Sequence, residues 1–326
     1  MNFWPARTPP RRAGLFPVAV FLFVCGSAIE SAPSVAAIAR MPGAGAQDST
    51  AYKDSVEKWR RAYEAKLESD DGWLSVTGLF WLHPGQNRFG TDPLGDIVLP
   101  EGSTPADVGY FDFQPGDSHD AKVIVHVNPG VTIFMNGKPV QQAELRPDSS
   151  DALALGDLRL FVHKSGERYS IRMKDKNSKL RRDFAGTRWF AVNELYRVTA
   201  KFVAYEQPKE EDIQNILGDT IKTWVPGYAV FTLKGVEYRL EPTISDPQMM
   251  EFVFRDLTSG KETYGAARMI DTPPPKDGVI VLDFNEAFNP PCAYNPFTTC
   301  PLPQPQNRLR VRIEAGELAY KHDHGT

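Results

Sequence analysis

The chain has few of the residues and motifs that mark common enzymes. Its 326 residues include only six histidines and three cysteines. The segment from 176 to 318 has no histidine, so a Ser–His or Cys–His pair there would need a histidine from elsewhere. No Gly-x-Ser-x-Gly, His-Glu-x-x-His, phosphate-loop or dinucleotide-binding motif occurs. These absences disfavour the commonest hydrolases, and we expect neither a cofactor nor a metal site.

The chain also lacks a basic surplus and a long apolar segment. Its formal net charge is −4, so we do not expect nucleic acid as a partner. The longest apolar run, Ala13 to Val24, has 12 residues and is too short for a permanent membrane span. Arginines precede this run and small residues follow it, as in a secretory signal peptide. We therefore expect residues 1–36 to be removed and the mature protein to be periplasmic or secreted.

The 27 prolines and 25 glycines fall between short apolar runs rather than in blocks. This pattern is typical of many strands joined by turns. One helix precedes the strands, because Val56, Trp59, Tyr63 and Leu67 recur at helical spacing. The sequence predicts a flexible N-terminus over 37–50 and this helix over 51–72.

The strand pattern predicts two β-rich parts and an all-β fold class. Residues 73–175 contain apolar or alternating runs separated by turns such as Asn136-Gly137, and this predicts a β-sandwich. A charged run after Asp175 marks a boundary. Further apolar runs predict a second β-domain over 176–318, packed against the first, and a tail over 319–326.

Only Cys292 and Cys300 remain once the signal segment is removed. In an oxidising compartment, two cysteines eight residues apart are candidates for a disulfide. Two alternatives stay open: a pair of reduced, buried thiols, or half of a zinc site. The zinc alternative lacks two further ligands nearby in the sequence.

The C-terminal segments resemble a known family. The motifs are Asp283-Phe284-Asn285, Asn289-Pro290-Pro291-Cys292, Cys300-Pro301-Leu302-Pro303 and Asn307-Arg308-Leu309. They resemble the bacterial and archaeal domain-of-unknown-function family 1684, and the resemblance covers roughly residues 55 to 318. That family has no assigned activity, so the resemblance implies boundaries and a site but no mechanism.

A second resemblance concerns the first sandwich. Asn87-x-Phe89-Gly90, Asp96-Ile97-Val98-Leu99-Pro100 and Asn136-Gly137-Lys138 are similar to forkhead-associated domains, which are 11-strand sandwiches that bind phosphothreonine. Thr91 stands where that family usually has a phosphate-pairing arginine, and the Ser-x-x-His turn is absent. A neutral threonine cannot make a charge-assisted contact with phosphate. The resemblance therefore implies the fold, and we do not expect phosphopeptide binding.

A proline-rich loop follows Asp283 and is the predicted functional region. Prolines stiffen the backbone, so polar groups on the loop stay in fixed positions. The candidate ligand-binding residues are Asp256, Tyr264, Arg268, Asp283, Asn285, Asn289, Tyr294, Asn307 and Arg308. We expect most of them to line one pocket. Structural roles compete with this interpretation, because Asp and Asn cap turns and Asp283 can form a buried ion pair with Arg308.

The function that these observations favour is binding of a small polar or glycan-like ligand through the C-terminal β-domain. One alternative is a hydrolase that uses Asp283 or Asp256 as its acid or base. A second alternative is a structural or protein-interaction module of the cell envelope. A carboxylate with a raised pKa in a cleft would favour the enzyme, whereas an open aromatic groove would favour the binding protein.

Overall fold

The computed structural model describes residues 44–116, 120–147, 149–246 and 248–321. The predicted signal peptide lies outside these residues, as do His119, His322 and His324. Within the described ranges, no helix combines the length and the apolar character that a membrane crossing requires.

The predicted N-terminal helix is present, with different ends. Helix α1 spans Ala44–Glu68, so it starts inside the segment predicted to be flexible and stops before residue 72. Val56 and Leu67 of its apolar stripe are buried. The chain turns at Gly72, where a Cβ atom would come within 2.2 Å of the Leu67 carbonyl oxygen. Only glycine fits this close approach.

In the residues that the structure describes, the first β-rich part contains eleven strands in two sheets. The strands are β1 (Val76–Trp81), β2 (Gly85–Gly90), β3 (Ile97–Val98), β4 (Gly109–Gln114), β5 (Lys122–Val127), β6 (Ile133–Met135), β7 (Lys138–Val140), β8 (Gln142–Leu145), β9 (Leu153–Leu155), β10 (Leu158–Ser165) and β11 (Arg168–Asp175). One sheet has the order β1-β11-β10-β9-β6-β7 and the other β3-β2-β4-β5-β8. Residues of both sheets, including Phe111 and Leu160, form one apolar core.

The described ranges of the second β-rich part contain seven strands, preceded by the short helix α2 (Lys179–Arg182). The strands are β12 (Arg197–Gln214), β13 (Thr220–Leu233), β14 (Val236–Leu240), β15 (Thr243–Asp246), β16 (Met249–Phe254), β17 (Arg268–Thr272) and β18 (Val279–Asp283). They form a sheet of order β14-β13-β12-β18 and a sheet of order β15-β16-β17. Both sheets contribute to one core around Phe231, Phe252 and Phe284. The prediction of an all-β fold class is confirmed.

The long β12–β13 hairpin reaches the first sandwich. Asp219, in the turn of this hairpin, forms an ion pair of 2.7 Å with Arg168 and accepts a hydrogen bond of 2.7 Å from the Ser165 hydroxyl. Asn215 donates a second hydrogen bond, also of 2.7 Å, to the Ser165 hydroxyl. These contacts join the hairpin to the strands of the first sandwich.

The β15-β16-β17 sheet has two different faces. Phe252 and Ile270 are opposite each other in the register and point into the core. Because side chains alternate along a strand, the neighbouring residues Glu251 and Asp271, which are also opposite each other, lie on the other face. This second face positions the candidate site.

Candidate functional site

A pocket of about 560 Å³ lies between α1, the outer face of β16–β17 and the loop that follows β18. We call it the α1 pocket. Its volume is typical of sites that hold a small molecule. Among its lining residues are Trp59, Tyr63, Lys66, Glu251, Asp271 and Phe288.

Aromatic side chains form the wall of the α1 pocket. Trp59 and Tyr63 are one helical turn apart on α1, and their rings stack with centroids 5.5 Å apart and an interplanar angle of 4°. Phe288, from the loop after β18, packs on Tyr63 at 5.2 Å between centroids. Trp189 meets Trp59 edge-on at 5.9 Å. The rings support one another, so the wall is fixed before a ligand arrives.

Two carboxylates form the polar part of the floor. Glu251 of β16 and Asp271 of β17 are direct cross-strand partners, which places their Cβ atoms about 4.5–5.5 Å apart. In the described part of the chain, neither carboxylate accepts a hydrogen bond or has an ion-pair partner within 4 Å. The described part of the pocket therefore contains two adjacent carboxylates that no protein hydrogen-bond donor or cation pairs with.

The surroundings shift the ionisation of both acids. Burial raises the pKa of Glu251 to about 7, and the negative charge of Asp271 adds to this effect. Partial removal from water also raises the pKa of Asp271, while the positive charge of Lys66 opposes the increase. Near neutral pH, Glu251 can therefore be either a proton donor or an anion.

A buried hydrogen-bond network supports the wall of the pocket. The Tyr294 hydroxyl and the Asn289 backbone N–H both donate to the carboxylate of Glu317, the latter at 2.8 Å. The Tyr63 hydroxyl lies 3.2 Å from the Tyr294 hydroxyl and donates to the Asn289 carbonyl, also at 3.2 Å. Burial raises the pKa of Glu317 to about 7. Through Tyr63, the network holds α1 against the loop that follows β18.

A smaller pocket of about 250 Å³ adjoins the first one, because Asp271 lines both. In it, the Tyr52 hydroxyl donates to Asp283 at 2.8 Å and accepts a hydrogen bond of 2.8 Å from the Asn285 amide. Arg197 lies 3.7 Å from the Asp283 carboxylate. Burial raises the pKa of Glu286 to about 7, and the charge of Asp283 adds to the shift.

The structure distributes the predicted site residues over several places. Asp283 lines the smaller pocket, with Asn285 bonded beside it. Asn289 lines the α1 pocket, and Tyr294 lies behind it in the buried network. The hydroxyl of Tyr264 donates to the Cys292 carbonyl at 3.2 Å, and its ring packs in an apolar cluster with Leu67.

Arg268 and Asp256 have structural positions. They form an ion pair of 3.3 Å in which the two side chains are 1% and 0% exposed. Asp256 also accepts a hydrogen bond of 2.7 Å from the Ile313 backbone N–H. Our expectation that Arg268 lines a solvent-reachable pocket is therefore wrong.

Asn307 and Arg308 do not join Asp283 either. The buried Asn307 amide donates to the Glu241 and Val253 carbonyls at 2.8 and 3.0 Å, which ties two strand ends together. Arg308 is exposed. The cation next to Asp283 is Arg197, its cross-strand partner on β12, and not Arg308 as the alternative interpretation expected.

Cys292 and Cys300 are free thiols, so the structure does not contain the predicted disulfide. The backbone N–H of Cys292 donates to the sulfur of Cys300 at 3.2 Å, and Cys300 lines the α1 pocket. Among the residues that the structure describes, no group of three or more His, Cys, Asp or Glu side chains could hold a metal ion.

The sequence analysis missed Glu251 and Asp271. A signal for them exists. Glu251 is the one charged residue of the apolar strand Met249–Phe254, and Asp271 follows the apolar pair Met269-Ile270 within β17. The sequence analysis used Trp59 and Tyr63 only as part of the apolar stripe of the helix, and the structure shows that they also line the pocket.

Comparisons with known proteins give a family but no activity. Residues 182–318 match the family model described as "Protein of unknown function (DUF1684)". A similar solved structure is the solution NMR structure of an uncharacterized protein from Haloarcula marismortui. It is 30% identical, the match covers 45% of this chain and 81% of that one, and the TM-score is 0.37, too low to support an argument about the fold. No curated protein matches the chain.

Proposed function

Through residues 182–318 the chain belongs to the DUF1684 family, and we propose that it binds a small molecule in the α1 pocket. One observation supports this proposal above the others. A concave space of about 560 Å³ combines preformed aromatic walls with two carboxylates that have no partner in the described part of the chain. Such a combination of apolar area and a few polar groups is typical of ligand sites.

The proposal keeps the expected small polar ligand and changes the place where it binds. The ligand contacts the C-terminal β-domain through β16 and β17, and α1 provides the opposite wall. The rings of Trp59 and Tyr63 suit a flat or apolar face of the ligand, and Glu251 and Asp271 suit its polar groups.

A thermal-shift screen tests this function. Monosaccharides, amino acids and small amines are added to the purified protein and to its Tyr63→Ala variant. We expect some compounds to raise the melting temperature of the unmodified protein and to lose this effect in the variant. Trp224→Ala is the control, because Trp224 is 53% exposed and does not line the α1 pocket. Compounds that stabilise all three proteins equally would contradict binding in this pocket.

A second candidate function is hydrolysis with Glu251 as the general acid. The observation that favours it is the pKa of about 7 of a carboxyl group placed directly opposite a second carboxylate. In this reaction the protonated Glu251 gives its proton to the leaving group, and Asp271 acts as base or nucleophile. Asp256 is unsuited to the role that we first considered for it, because it is enclosed with Arg268.

Chromogenic nitrophenyl esters and glycosides test the hydrolase. Turnover that depends on protonated Glu251 should fall as the pH rises through about 7 and should be lost in Glu251→Gln. Glu237→Gln, on the exposed surface of β14, is the matched control. Equal turnover in Glu251→Gln and Glu237→Gln would exclude Glu251 as the acid.

For the first sandwich we propose a forkhead-associated type of fold without phosphothreonine recognition. Its eleven strands in sheets of six and five support the fold. Thr91 follows Gly90 and carries no charge to pair with a phosphate. Phosphothreonine peptides should therefore not bind, and micromolar binding that is lost on dephosphorylation would contradict this.

We also propose that the protein is exported. Support comes from the arginines and the apolar run in residues 1–36. N-terminal sequencing of protein recovered from the periplasm or the medium should begin after Ser34-Val35-Ala36, or after Gly26-Ser27-Ala28, which is the alternative cleavage site with small residues. An intact Met1 in that material would contradict cleavage.

A further inference from the structure

We propose that the ligand of the α1 pocket is an organic cation, with a primary or secondary ammonium group on an apolar or aromatic body. This inference rests on the proposed binding function and names the chemical class of the ligand. The ammonium group lies between the carboxylates of Glu251 and Asp271, and the body of the ligand lies against the rings of Trp59 and Tyr63.

The first argument is the missing counter-charge. Two carboxylates that face each other across neighbouring strands repel. Glu251 is partly buried, which makes its charge more costly, whereas Asp271 is exposed at the mouth of the pocket. The basic residue that lines the pocket, Lys66, is exposed and forms no ion pair within 4 Å with either acid in the described structure. A ligand cation between Glu251 and Asp271 would supply the partner that the fold leaves out.

The second argument is an excess of hydrogen-bond acceptors. Asn289, which lines the pocket and is 1% exposed, has a side-chain oxygen without a hydrogen-bond partner in the described part of the chain. Its amide nitrogen donates to the Leu318 carbonyl at 2.8 Å, and its oxygen is enclosed by protein. The acceptors open to the pocket are therefore the carboxylate oxygens of Glu251 and Asp271. An ammonium group brings up to three donors and no acceptor, and therefore matches a site of this kind.

The third argument is the nature of the walls. Trp, Tyr and Phe rings attract cations to their faces and also accept alkyl or aryl groups. Trp59 and Tyr63 of α1 and Phe288 of the loop after β18 provide such surfaces around the pocket. A carboxylate or phosphate ligand would instead face the repulsion of both acids.

Titration of Glu251 links this proposal to pH. The charged and titratable groups that surround the two acids come from several elements: Tyr63, Lys66 and Asp71 from α1 and its end, Cys300 from the loop, and Arg197, Asp283 and Glu286 in the adjoining pocket. Loss of the Glu251 proton creates the second negative charge that attracts the cation. Affinity for an ammonium ligand should therefore rise as the pH increases from about 6 to about 8.

The test is calorimetric titration with matched probes. Phenethylamine and a series of alkylamines are the cations, 2-phenylethanol is the neutral analogue and 3-phenylpropionate is the anion. We expect the amines to bind more tightly than both analogues, and Glu251→Gln to weaken amine binding about tenfold or more. Glu251→Gln removes an unpaired, partly buried charge, so the variant should stay folded. Glu237→Gln should bind as the unmodified protein does.

The results separate the cation assignment from the binding function. Equal affinities for phenethylamine and 2-phenylethanol, both lost in Tyr63→Ala, would overturn the assignment and leave the α1 pocket as a binding site. Absence of binding by the whole amine series would also overturn the assignment. Neutral sugars active in the thermal-shift screen would then preserve the binding function. An amine affinity that is unchanged in Glu251→Gln would overturn the role of the two acids.

Discussion

At the residue scale, Glu251 links stability to pH. Its pKa is about 7 in the folded protein and 4.5 in its ordinary state, so between these values the folded chain holds more protons than the unfolded chain. The contribution of this residue to stability therefore falls as the pH rises through that window. A pKa shift of this size lowers the free energy of unfolding by about 3 kcal/mol at pH values above both pKa values.

Replacement of Glu251 by Gln should remove this loss of stability at high pH. We expect Glu251→Gln to unfold with a free energy close to that of the unmodified protein at about pH 4.5, and to become progressively more stable than it up to about pH 8. Urea denaturation at a series of pH values measures the difference. Glu237→Gln should show a difference that does not change with pH, and the same result for Glu251→Gln would contradict the raised pKa.

The buried ion pair of Asp256 and Arg268 makes a second prediction at this scale. Asp256→Ala leaves the guanidinium of Arg268 enclosed without a counter-charge and the Ile313 N–H without its acceptor. Removal of one partner from a buried pair costs about 3–5 kcal/mol. We expect a loss of that order in the free energy of unfolding, measured in denaturant.

The exposed pair of Glu210 and Lys222 is the control for Asp256→Ala. Its side chains are 46% and 68% exposed, and Glu210→Ala should cost less than about 1 kcal/mol. Similar losses for the two variants would show that Asp256 is not a structural residue.

At the scale of elements, a small number of side chains hold α1 against the rest of the protein. Val56 and Leu67 are buried, and the Arg60 guanidinium donates to the Phe190 and Asn285 carbonyls at 3.1 and 3.2 Å. Arg60→Ala removes the charged donor from both carbonyls. We expect faster amide hydrogen exchange along Ala44–Glu68 and little change in the strands of the first sandwich.

Arg61→Ala is the matched control for this experiment. Arg61 is the next residue on α1 and its side chain is exposed. Hydrogen exchange of α1 should therefore stay as in the unmodified protein. Equal acceleration in Arg60→Ala and Arg61→Ala would mean that the contacts of Arg60 do not hold the helix.

Local patterns in the sequence predicted the presence of helices and strands better than the residues at which they begin and end. The spacing of Val56 and Leu67 identified α1, because an apolar stripe follows from helix geometry alone. Its start was missed because Ala44 to Thr50 contains small and polar residues with no apolar repeat. The sequence of the segment 212–222 fits either a helix or a strand, and in the structure it comprises the end of β12, the hairpin turn at 215–219 and the start of β13.

The partners of charged residues could not be predicted in the same way. Asp283 pairs with Arg197 because β18 lies beside β12, and Asp256 meets Arg268 across the chain that joins β16 to β17. Glu251 meets Asp271 only in the register that the β16–β17 pair adopts. Such contacts depend on strand order and register, and a single sequence does not specify these.

At the scale of the whole molecule, the α1 pocket is a product of the complete fold. Its walls come from α1, from β16–β17 and from the loop around Phe288 to Pro301, which are far apart in the sequence. Glu317, close to the end of the described chain, completes the network behind it. A fragment that lacks α1 would keep Glu251 and Asp271 but lose the rings of Trp59 and Tyr63. The part of the chain that matches the family model, residues 182–318, therefore does not contain the complete pocket.

Crystal soaking with a fragment collection that contains amines, neutral sugars and carboxylic acids tests the central claim most directly. We predict that fragments occupy the α1 pocket between Tyr63 and Glu251, and that bound amines place their nitrogen within hydrogen-bond distance of the Glu251 or Asp271 carboxylate. A pocket that holds only ordered water while fragments gather at other surfaces of the protein would contradict the account.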